Sequence, residues 1–211
     1  MNDEPGQPSA ATVYVVDDDR GFLKAMERLL RAAGHTVRTF DAPGDFLAEL
    51  TPDMAGCLIL DVKMPDIDGM QLQQALAERD CALPIIFLSG HGDIPTSVRA
   101  VKLGASDFLS KPADAATLLG AVDVALSQNV DERRARAERA REQALYETLT
   151  PREREVMRLV AQGLLNKQVA GELGTVEKTV KVHRARVMQK LKVRSVADLV
   201  RLVERNGWTK V

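Results

Sequence analysis

Cysteine, aromatic side chains and long apolar runs are all scarce in this 211-residue sequence. The two cysteines, Cys57 and Cys81, lie far apart beside apolar segments, so we expect buried, reduced thiols in a cytoplasmic protein rather than a disulfide or a metal site. No apolar run approaches the length of a membrane span. Aromatic residues make up 4% of the chain, which weighs against a ligand domain built around an aromatic-lined pocket.

The first residues also lack the basic start of a secretory signal, since they are acidic and contain proline. We expect residues 1–10 to form a short disordered tail. The overall composition, 45% hydrophobic and 28% charged, is that of an ordinary soluble globular protein. The length of the chain suffices for one large domain or two small ones.

The net charge of −1 conceals two halves of opposite sign. Residues 1–126 carry 10 Lys and Arg against 19 Asp and Glu, a net charge of −9. Residues 127–149 carry 5 of each, whereas residues 150–211 carry 14 basic against 6 acidic side chains, a net charge of +8. An acidic half joined to a basic half indicates two domains with different partners, and the basic one suits nucleic acid.

Short apolar runs alternate with amphipathic segments through the acidic half. The apolar runs predict strands at 12–16, 36–40, 57–60, 84–88 and 106–109. The amphipathic segments predict helices near 20–33, 43–50, 68–78, 93–103 and 113–127. This alternation predicts an α/β domain, in which a five-stranded parallel sheet carries helices on both faces.

Polar residues follow the strands of this predicted sheet. Asp17 and Asp18 close the first strand, Asp61 the third and Ser89 the fourth, while Lys111 lies just past the fifth. Parallel strands end at one edge of a sheet, so these groups should converge there. Clustered carboxylates repel one another unless a cation neutralises them, and such oxygen ligands suit Mg²⁺. With an ammonium and a hydroxyl, the set predicts a site for a phosphoryl group.

The basic half shows only helical patterns. Residues 127–148 are rich in alanine, balanced in charge and free of Gly and Pro, which predicts an exposed linker helix, either separate or continuing the one before it. Four short helices follow, with Thr150 and Ser195 as predicted N-caps. A short helix, a turn at Gly174 and a longer basic helix over 176–191 are typical of a helix-turn-helix.

The acidic half resembles the receiver domain of two-component response regulators. The resemblance rests on VVDDD (15–19), LILDVKMPDIDG (58–69), IIFLSGHGD (85–93) and SDFLSKP (106–112). It implies a doubly wound, flavodoxin/CheY-like fold over residues 11–126. It also implies that Asp61 accepts a phosphoryl group from a sensor histidine kinase, with Mg²⁺ held by Asp17, Asp18, Asp61 and the backbone carbonyl of Lys63.

The same resemblance assigns roles around that acceptor. Ser89 is the expected switch hydroxyl, Phe108 the switch aromatic and Lys111 the phosphate-binding lysine, followed by a cis-proline at Pro112. Phosphorylation is expected to make the chain a homodimer. The implied dimer face contains Ile94, Val98, Val101 and Lys102.

Residues 149–211 resemble the LuxR-type helix-turn-helix through LTPREREVMRLVAQGLLNKQVAGELG (149–174) and TVKVHRARVMQKLKVRS (179–195). The two resemblances together imply a transcription regulator of the NarL/FixJ class, leaning toward the FixJ type. Its expected partners are promoter DNA and, as a further candidate, RNA polymerase. It is not expected to be an enzyme beyond its own phosphotransfer and dephosphorylation.

Helical spacing separates the two faces of the basic helix. Val180, Val187 and Leu191 should pack inward, with His183 partly so. The residues expected to read base edges are Lys178, Thr179, Lys181, Val182 and Ala185, and those expected to contact phosphates are Arg184, Arg186, Lys190, Lys192 and Arg194. Val176 stands where the family usually has a capping Ser, so Thr175 is expected to cap instead.

Three other functions compete with this interpretation. A haloacid-dehalogenase-like phosphatase also uses an aspartate and Mg²⁺, but it needs a second Asp where Lys63 stands. A quorum-sensing LuxR protein would need more aromatic residues. A receiver that acts by protein contact alone, without phosphorylation, is disfavoured by the intact set of acids, hydroxyl and lysine.

Overall fold

The computed structural model of the chain describes residues 11–52, 54–90 and 94–209. The predicted tail, residues 1–10, lies outside this range. The chain divides into two compact units, residues 1–134 and 135–211. No helix in the described ranges is both long enough and apolar enough to cross a membrane.

Strands and helices alternate through the described part of the first unit. The strands are β1 (Thr12–Val16), β2 (Thr36–Phe40), β3 (Gly56–Asp61), β4 (Ile85–Ser89) and β5 (Asp107–Ser110). The helices are α1 (Arg20–Ala32), α2 (Pro43–Glu49), α3 (Gly69–Glu78), α4 (Ile94–Lys102) and α5 (Ala115–Glu147), the last of which extends beyond residue 134 into the second unit. The predicted linker helix has no boundary of its own, because α5 continues through it without a break.

All five strands are parallel, in the order β2-β1-β3-β4-β5. The predicted doubly wound α/β fold is therefore confirmed. In the register of the sheet, Val16 at the end of β1 pairs with Leu60 near the end of β3. The chain that leaves these two central strands consequently leaves from neighbouring points of one edge.

Each face of the sheet has its own hydrophobic core. Alternate residues of a strand point to opposite faces, so Tyr14 and Val16 join one core while Val13 and Val15 join the other. The first core packs under α2 and α3 and includes edge-on contacts of Phe46 with Tyr14 and Phe40. The second core packs under α1 and the first turns of α5. This arrangement is the reason why the central strands are apolar on both faces.

The two cysteines are both free but differ in exposure. Cys57 is buried in β3, where burial raises the pKa of its thiol to about 12. Cys81 is only partly buried, so the expectation of two buried thiols is wrong for this residue. It lies in the loop before β4, where the chain turns near the surface.

A buried amide fastens the middle of α5 to the first unit. Asn129 is 2% exposed, its Oδ1 accepts a hydrogen bond from Gly56 N at 3.0 Å, and its Nδ2 donates to Ala82 O at 3.2 Å. Gly56 has φ of 140°, and a Cβ there would lie 1.7 Å from Thr12 O. Helix α5 therefore packs into this unit beyond residue 126, the end that the sequence pattern predicts.

Replacing Asn129 by Ala should destabilise the first unit, because it leaves a buried N–H and a carbonyl without their partner. We expect a loss of about 1–3 kcal/mol in the free energy of unfolding, measured by urea denaturation. Val130→Ala is the control, since Val130 is exposed on the next position of the helix. Equal effects of the two substitutions would contradict the anchoring role of Asn129.

The described part of the second unit is helical. After the last turns of α5 come α6 (Pro151–Ala161), α7 (Asn166–Glu172), α8 (Glu177–Lys190) and α9 (Val196–Arg205). Thr150 caps α6 in a capping box with Glu153, and Ser195 caps α9, as predicted. Gly174 has φ of 60° in the turn between α7 and α8, a left-handed conformation that suits glycine.

The last turns of α5 pack within this second unit. Glu142 accepts hydrogen bonds from Arg205 and from Asn206, the latter at 2.7 Å. Tyr146 stacks on Trp208 with ring centroids 4.5 Å apart, and the guanidinium of Arg154 lies 4.6 Å from the tyrosine ring centre. The end of α5 is thus part of the helical bundle.

Candidate functional site

The carboxyl edge of the sheet brings two acids and a lysine together. Asp17 follows β1 directly, Asp61 is the last residue of the adjacent β3, and Lys111 follows β5. The Lys111 Nζ donates to Asp61 Oδ1 at 2.6 Å and also forms a close ion pair with Asp17 Oδ2. The predicted convergence of these three groups is what the structure shows.

The second oxygen of each carboxylate is bound to the backbone. Asp61 Oδ2 accepts from Lys63 N at 2.6 Å, and Asp17 Oδ1 accepts from Asp19 N at 2.9 Å. Asp19 in turn caps α1 through hydrogen bonds from Gly21 N and Phe22 N. Both acids are therefore fixed in orientation by the loops that leave their strands.

Burial sets the electrostatics of the site. The Asp17 side chain is 2% exposed, and that burial raises the pKa of its carboxyl despite the hydrogen bond from Lys111. Burial opposes the charge of Lys111 too, but its hydrogen bonds to Asp17 and Asp61 raise the pKa of the ammonium above its ordinary value. The lysine thus remains charged, and the site has two carboxylates against one cation.

Asp18, the third carboxylate expected at this edge, follows Asp17 directly in the loop after β1. Its side chain is exposed, and within the described ranges no three Asp, Glu, His or Cys side chains form a metal-binding group. The donor set still fits Mg²⁺, because the oxygen ligands of Asp17 and Asp61 carry more negative charge than one ammonium balances.

The remaining predicted residues of the receiver-like site surround this centre. Ser89 is 2% exposed at the end of β4, and its carbonyl accepts from Lys111 N at 2.8 Å. Phe108 is half-buried, with its ring centre 6.0 Å from that of Phe87. The Lys111–Pro112 peptide bond is cis. His91, to which the sequence assigns no role, lies outside the described residues.

Phe22 is a member of the site that sequence reasoning missed. Its ring centre lies 4.2 Å from Lys111 Nζ, which is a cation–π contact. The helical periodicity of α1 classes Phe22 as a core residue, and it does pack against the second core. Only the closeness of α1 to the sheet edge, which a pattern does not contain, reveals the second contact.

The loop after Asp61 depends on a close backbone approach. Gly69 N donates to Val62 O at 3.0 Å, and a Cβ on Gly69 would lie 2.2 Å from Asp61 O. Asp68, just before it, caps α3 in a capping box with Gln71. Glycine at position 69 therefore lets α3 begin directly against the strand end that presents Asp61.

The predicted dimer face is partly described. Val98 and Val101 on α4 are 46% and 55% exposed, and Lys102 is exposed as well. The side chain of Ile94 lies outside the described residues. Exposed valines on a surface helix are consistent with a contact face, although single exposed apolar residues are common.

Asp17→Asn should stabilise the first unit at neutral pH, because it removes a buried charge while keeping an oxygen for Asp19 N. Burial raises the pKa of Asp17 in the folded state above its ordinary value of 3.8. The ionised carboxyl therefore does not lower the free energy of unfolding below pH 3.8, and it lowers it increasingly as the pH rises through the folded-state pKa. We expect a gain on the order of 1 kcal/mol at pH 7 that disappears below about pH 4.

Urea denaturation of both proteins between pH 3.5 and pH 8 measures this difference. Asp18→Asn, at an exposed position, is the matched control and should change little. A gain that persists unchanged at the lowest pH would contradict the role of Asp17 ionisation.

In the second unit, α8 has the two faces that the sequence predicts. Val180, Val187 and Leu191 are buried and His183 is partly buried. The face opposite is formed by Lys178, Lys181, Val182, Ala185 and Arg186, all exposed, beside the half-buried Thr179. Such an exposed basic helix after a tight turn has the form of a recognition helix that enters the major groove.

The start of α8 differs from what we expected. The N-cap is Val176, which makes no side-chain hydrogen bond to the helix, so Thr175 does not cap it. The Thr175 N–H instead donates to Ala170 O at 3.0 Å and so closes the end of α7. Thr175 thus belongs to the turn rather than to the recognition helix.

Two of the predicted phosphate contacts are engaged inside the bundle. The Lys190 Nζ donates to Glu153 Oε2 at 2.6 Å and to Thr148 O at 2.9 Å. Arg184 Nη1 donates to Asn166 Oδ1 at 3.1 Å. Periodicity alone assigns both to a polar face, but a long side chain reaches partners well away from the face of its Cα.

These features define a class of protein. The first unit places two acids and a lysine at the carboxyl edge of a parallel sheet, and the second presents a basic recognition helix. Consistent with this, the family described as "Response regulator receiver domain" matches residues 13–123, and "Bacterial regulatory proteins, luxR family" matches residues 147–203. The molecule is a regulator in which a receiver domain precedes a DNA-binding domain.

Comparison with individual proteins shows more closely which response regulators the chain resembles. The chain is 47% identical over 197 residues to Nodulation protein W of Bradyrhizobium diazoefficiens, covering 93% of this chain and 87% of that protein. It is 45% identical over 205 residues to Response regulator protein TmoT of Ectopseudomonas mendocina, covering 97% and 91%. The solved response regulator StyR has 47% identity and a TM-score of 0.83, covering 93% of this chain and 100% of that one. The chain belongs to the response regulators of the NarL/FixJ class.

Proposed function

We propose that this cytoplasmic response regulator accepts a phosphoryl group on Asp61 from a sensor histidine kinase, then dimerises and binds promoter DNA through α8. The observation that carries the proposal is the contact of the Lys111 ammonium with the carboxylates of Asp17 and Asp61. An acid 10% exposed, oriented by the backbone and beside a fixed cation, is suited to act as a nucleophile toward an anionic phosphoryl group.

The chemistry of the acceptor follows from its contacts. A carboxylate oxygen of Asp61 forms a bond to phosphorus while the bond from phosphorus to the donor nitrogen breaks, and the leaving imidazole keeps its electron pair and takes a proton. The Lys111 ammonium lies where it neutralises charge on the transferred group. Mg²⁺, for which Asp17, Asp18, Asp61 and the Lys63 carbonyl are the candidate ligands, would supply further positive charge to the phosphoryl oxygens. We propose no enzymatic activity beyond this self-modification and its reversal.

The proposed response runs from Ser89 to the surface. The buried Ser89 hydroxyl would move toward the phosphoryl group, and the half-buried Phe108 would turn inward beside Phe87. That movement changes the surface formed by β5 and α4, where Val98 and Val101 are exposed. Homodimerisation through this surface would bring two recognition helices to two DNA half-sites. RNA polymerase is a further candidate partner.

Asp61→Asn should abolish phosphorylation, because the amide is not a nucleophile. We expect the wild type, but not this variant, to gain the mass of one phosphoryl group on incubation with acetyl phosphate and Mg²⁺, measured by intact mass spectrometry. Asp66→Asn is the matched control, since Asp66 is an exposed acid in the same loop whose φ of 65° asparagine also tolerates. Normal regulation by an Asp61→Asn protein would favour the receiver that acts by contact alone.

Lys181→Ala should weaken specific DNA binding more than binding to unrelated DNA, because Lys181 is exposed where a recognition helix reads guanine edges. We expect a loss of about 1–3 kcal/mol on a selected operator fragment, measured by fluorescence anisotropy at fixed salt. Lys24→Ala, at an exposed lysine of α1, serves as the control. An equal loss on all sequences would show that Lys181 contacts only phosphates.

A further inference from the structure

The end of the recognition helix is tied to the turn between α5 and α6. The Lys190 ammonium, on the last residue of α8, donates to Glu153 Oε2 and to the carbonyl of Thr148. The same Glu153 oxygen accepts from Thr150 N at 2.9 Å. One carboxylate thus caps α6 and holds α8, and one ammonium joins α8 to the residues that follow α5.

This contact is a buried one. The Glu153 side chain is 2% exposed and that of Lys190 is 33% exposed. Burial alone would raise the pKa of Glu153, but the hydrogen bonds from Lys190 and from the Thr150 backbone prevail and lower it. Glu153 is therefore charged at neutral pH, and removing the ammonium leaves a buried carboxylate with its capping hydrogen bonds as its remaining contacts.

Because Lys190 lies at the end of α8, a change in its contacts would move the residues of α8 that are proposed to contact bases. Along α8, Lys190 lies nine positions after Lys181, which corresponds to about 13 Å at 1.5 Å per residue. A rotation of about 5° around the tied end would move Lys181 by about 1 Å, enough to disturb a hydrogen bond to a base edge. Arg184, bound to Asn166, fastens the same helix nearer its middle.

We infer that Lys190 is a positioning residue for DNA recognition, which fixes the angle of α8 against the α5–α6 turn, and that it is not a phosphate contact. The inference rests on the proposed DNA-binding function and deepens it. Its partner Glu153 shares the role, because the two charges have their effect as a pair. The phosphate contacts are then left to exposed cations of α8 such as Arg186.

The salt dependence of DNA binding separates the two roles. A lost phosphate contact lowers the slope of log K against log salt by about 0.9, whereas a misplaced helix weakens binding without changing the number of neutralised phosphates. We expect Lys190→Met to lower affinity by about tenfold, the factor that equals ~1.4 kcal/mol, with the slope unchanged. Arg186→Met, on the same helix, should lower the slope.

The Glu153→Gln substitution has opposite expected effects if Lys190 positions α8 and if Lys190 contacts a DNA phosphate. It also tests the inference if the Lys190→Met protein does not fold. The amide keeps the capping hydrogen bonds and removes the charge. If Lys190 positions α8, affinity falls, but by less than in Lys190→Met, because the ammonium keeps its hydrogen bond to Thr148 O and no buried charge is left unpaired. If Lys190 binds phosphate, Glu153→Gln frees the ammonium and affinity rises or stays the same, which overturns the inference.

The experiment uses the full chain treated with acetyl phosphate and Mg²⁺, a selected operator fragment and salt from 50 to 300 mM. Urea unfolding of the same variants, followed by Trp208 fluorescence, completes a double-mutant cycle for Lys190 and Glu153. Coupling between the two losses is expected, and additive losses overturn the inference. A wild type that binds no DNA refutes the proposed function, while the unfolding cycle still decides whether the pair holds α8.

Discussion

The interaction on which the receiver depends is one ammonium shared between two carboxylates. Neither Asp17 nor Asp61 would be tolerable as an isolated charge at the sheet edge, and Lys111 makes their closeness possible without removing the excess negative charge. The parallel topology supplies the geometry, because β1 and β3 are neighbours and β5 returns the lysine to the same edge. The charge that remains is what attracts a cation and a phosphoryl group.

Function at this edge opposes stability. Asp17 is held almost without solvent, and its raised pKa is the physical sign of that cost. The central strands bury apolar side chains in a hydrophobic core on each face of the sheet. This burial offsets the free-energy cost of the buried acid and keeps the strand ends in place. Sites that bind charged groups are commonly the places where a fold accepts such local strain.

Periodic patterns in the sequence predicted the backbone structure well, but they predicted the contacts of long side chains poorly. The five strands and the inward face of α8 follow from residue spacing, and the convergence of Asp17, Asp61 and Lys111 follows from the rule that parallel strands end at one edge of a sheet. The exposed position of Asp18, the partial exposure of Cys81 and the engagement of Lys190 by Glu153 do not. A lysine reaches partners in several directions, so its choice depends on a tertiary neighbour that no local pattern contains. Phe22 shows the same limit, because one side chain belongs both to the core and to the site.

The stacking of Trp208 on Tyr146 provides an intrinsic fluorescent probe of the contact between α5 and the rest of the second unit. The chain has a single tryptophan, and its ring stacks on Tyr146 in the last turns of α5. Any event that separates those turns from the other helices of the unit must separate the two rings and expose the indole to water. The wavelength of tryptophan emission would then change, so no added dye is needed to detect the event. Separation of the last turns of α5 from the second unit can in this way be followed in the native polypeptide.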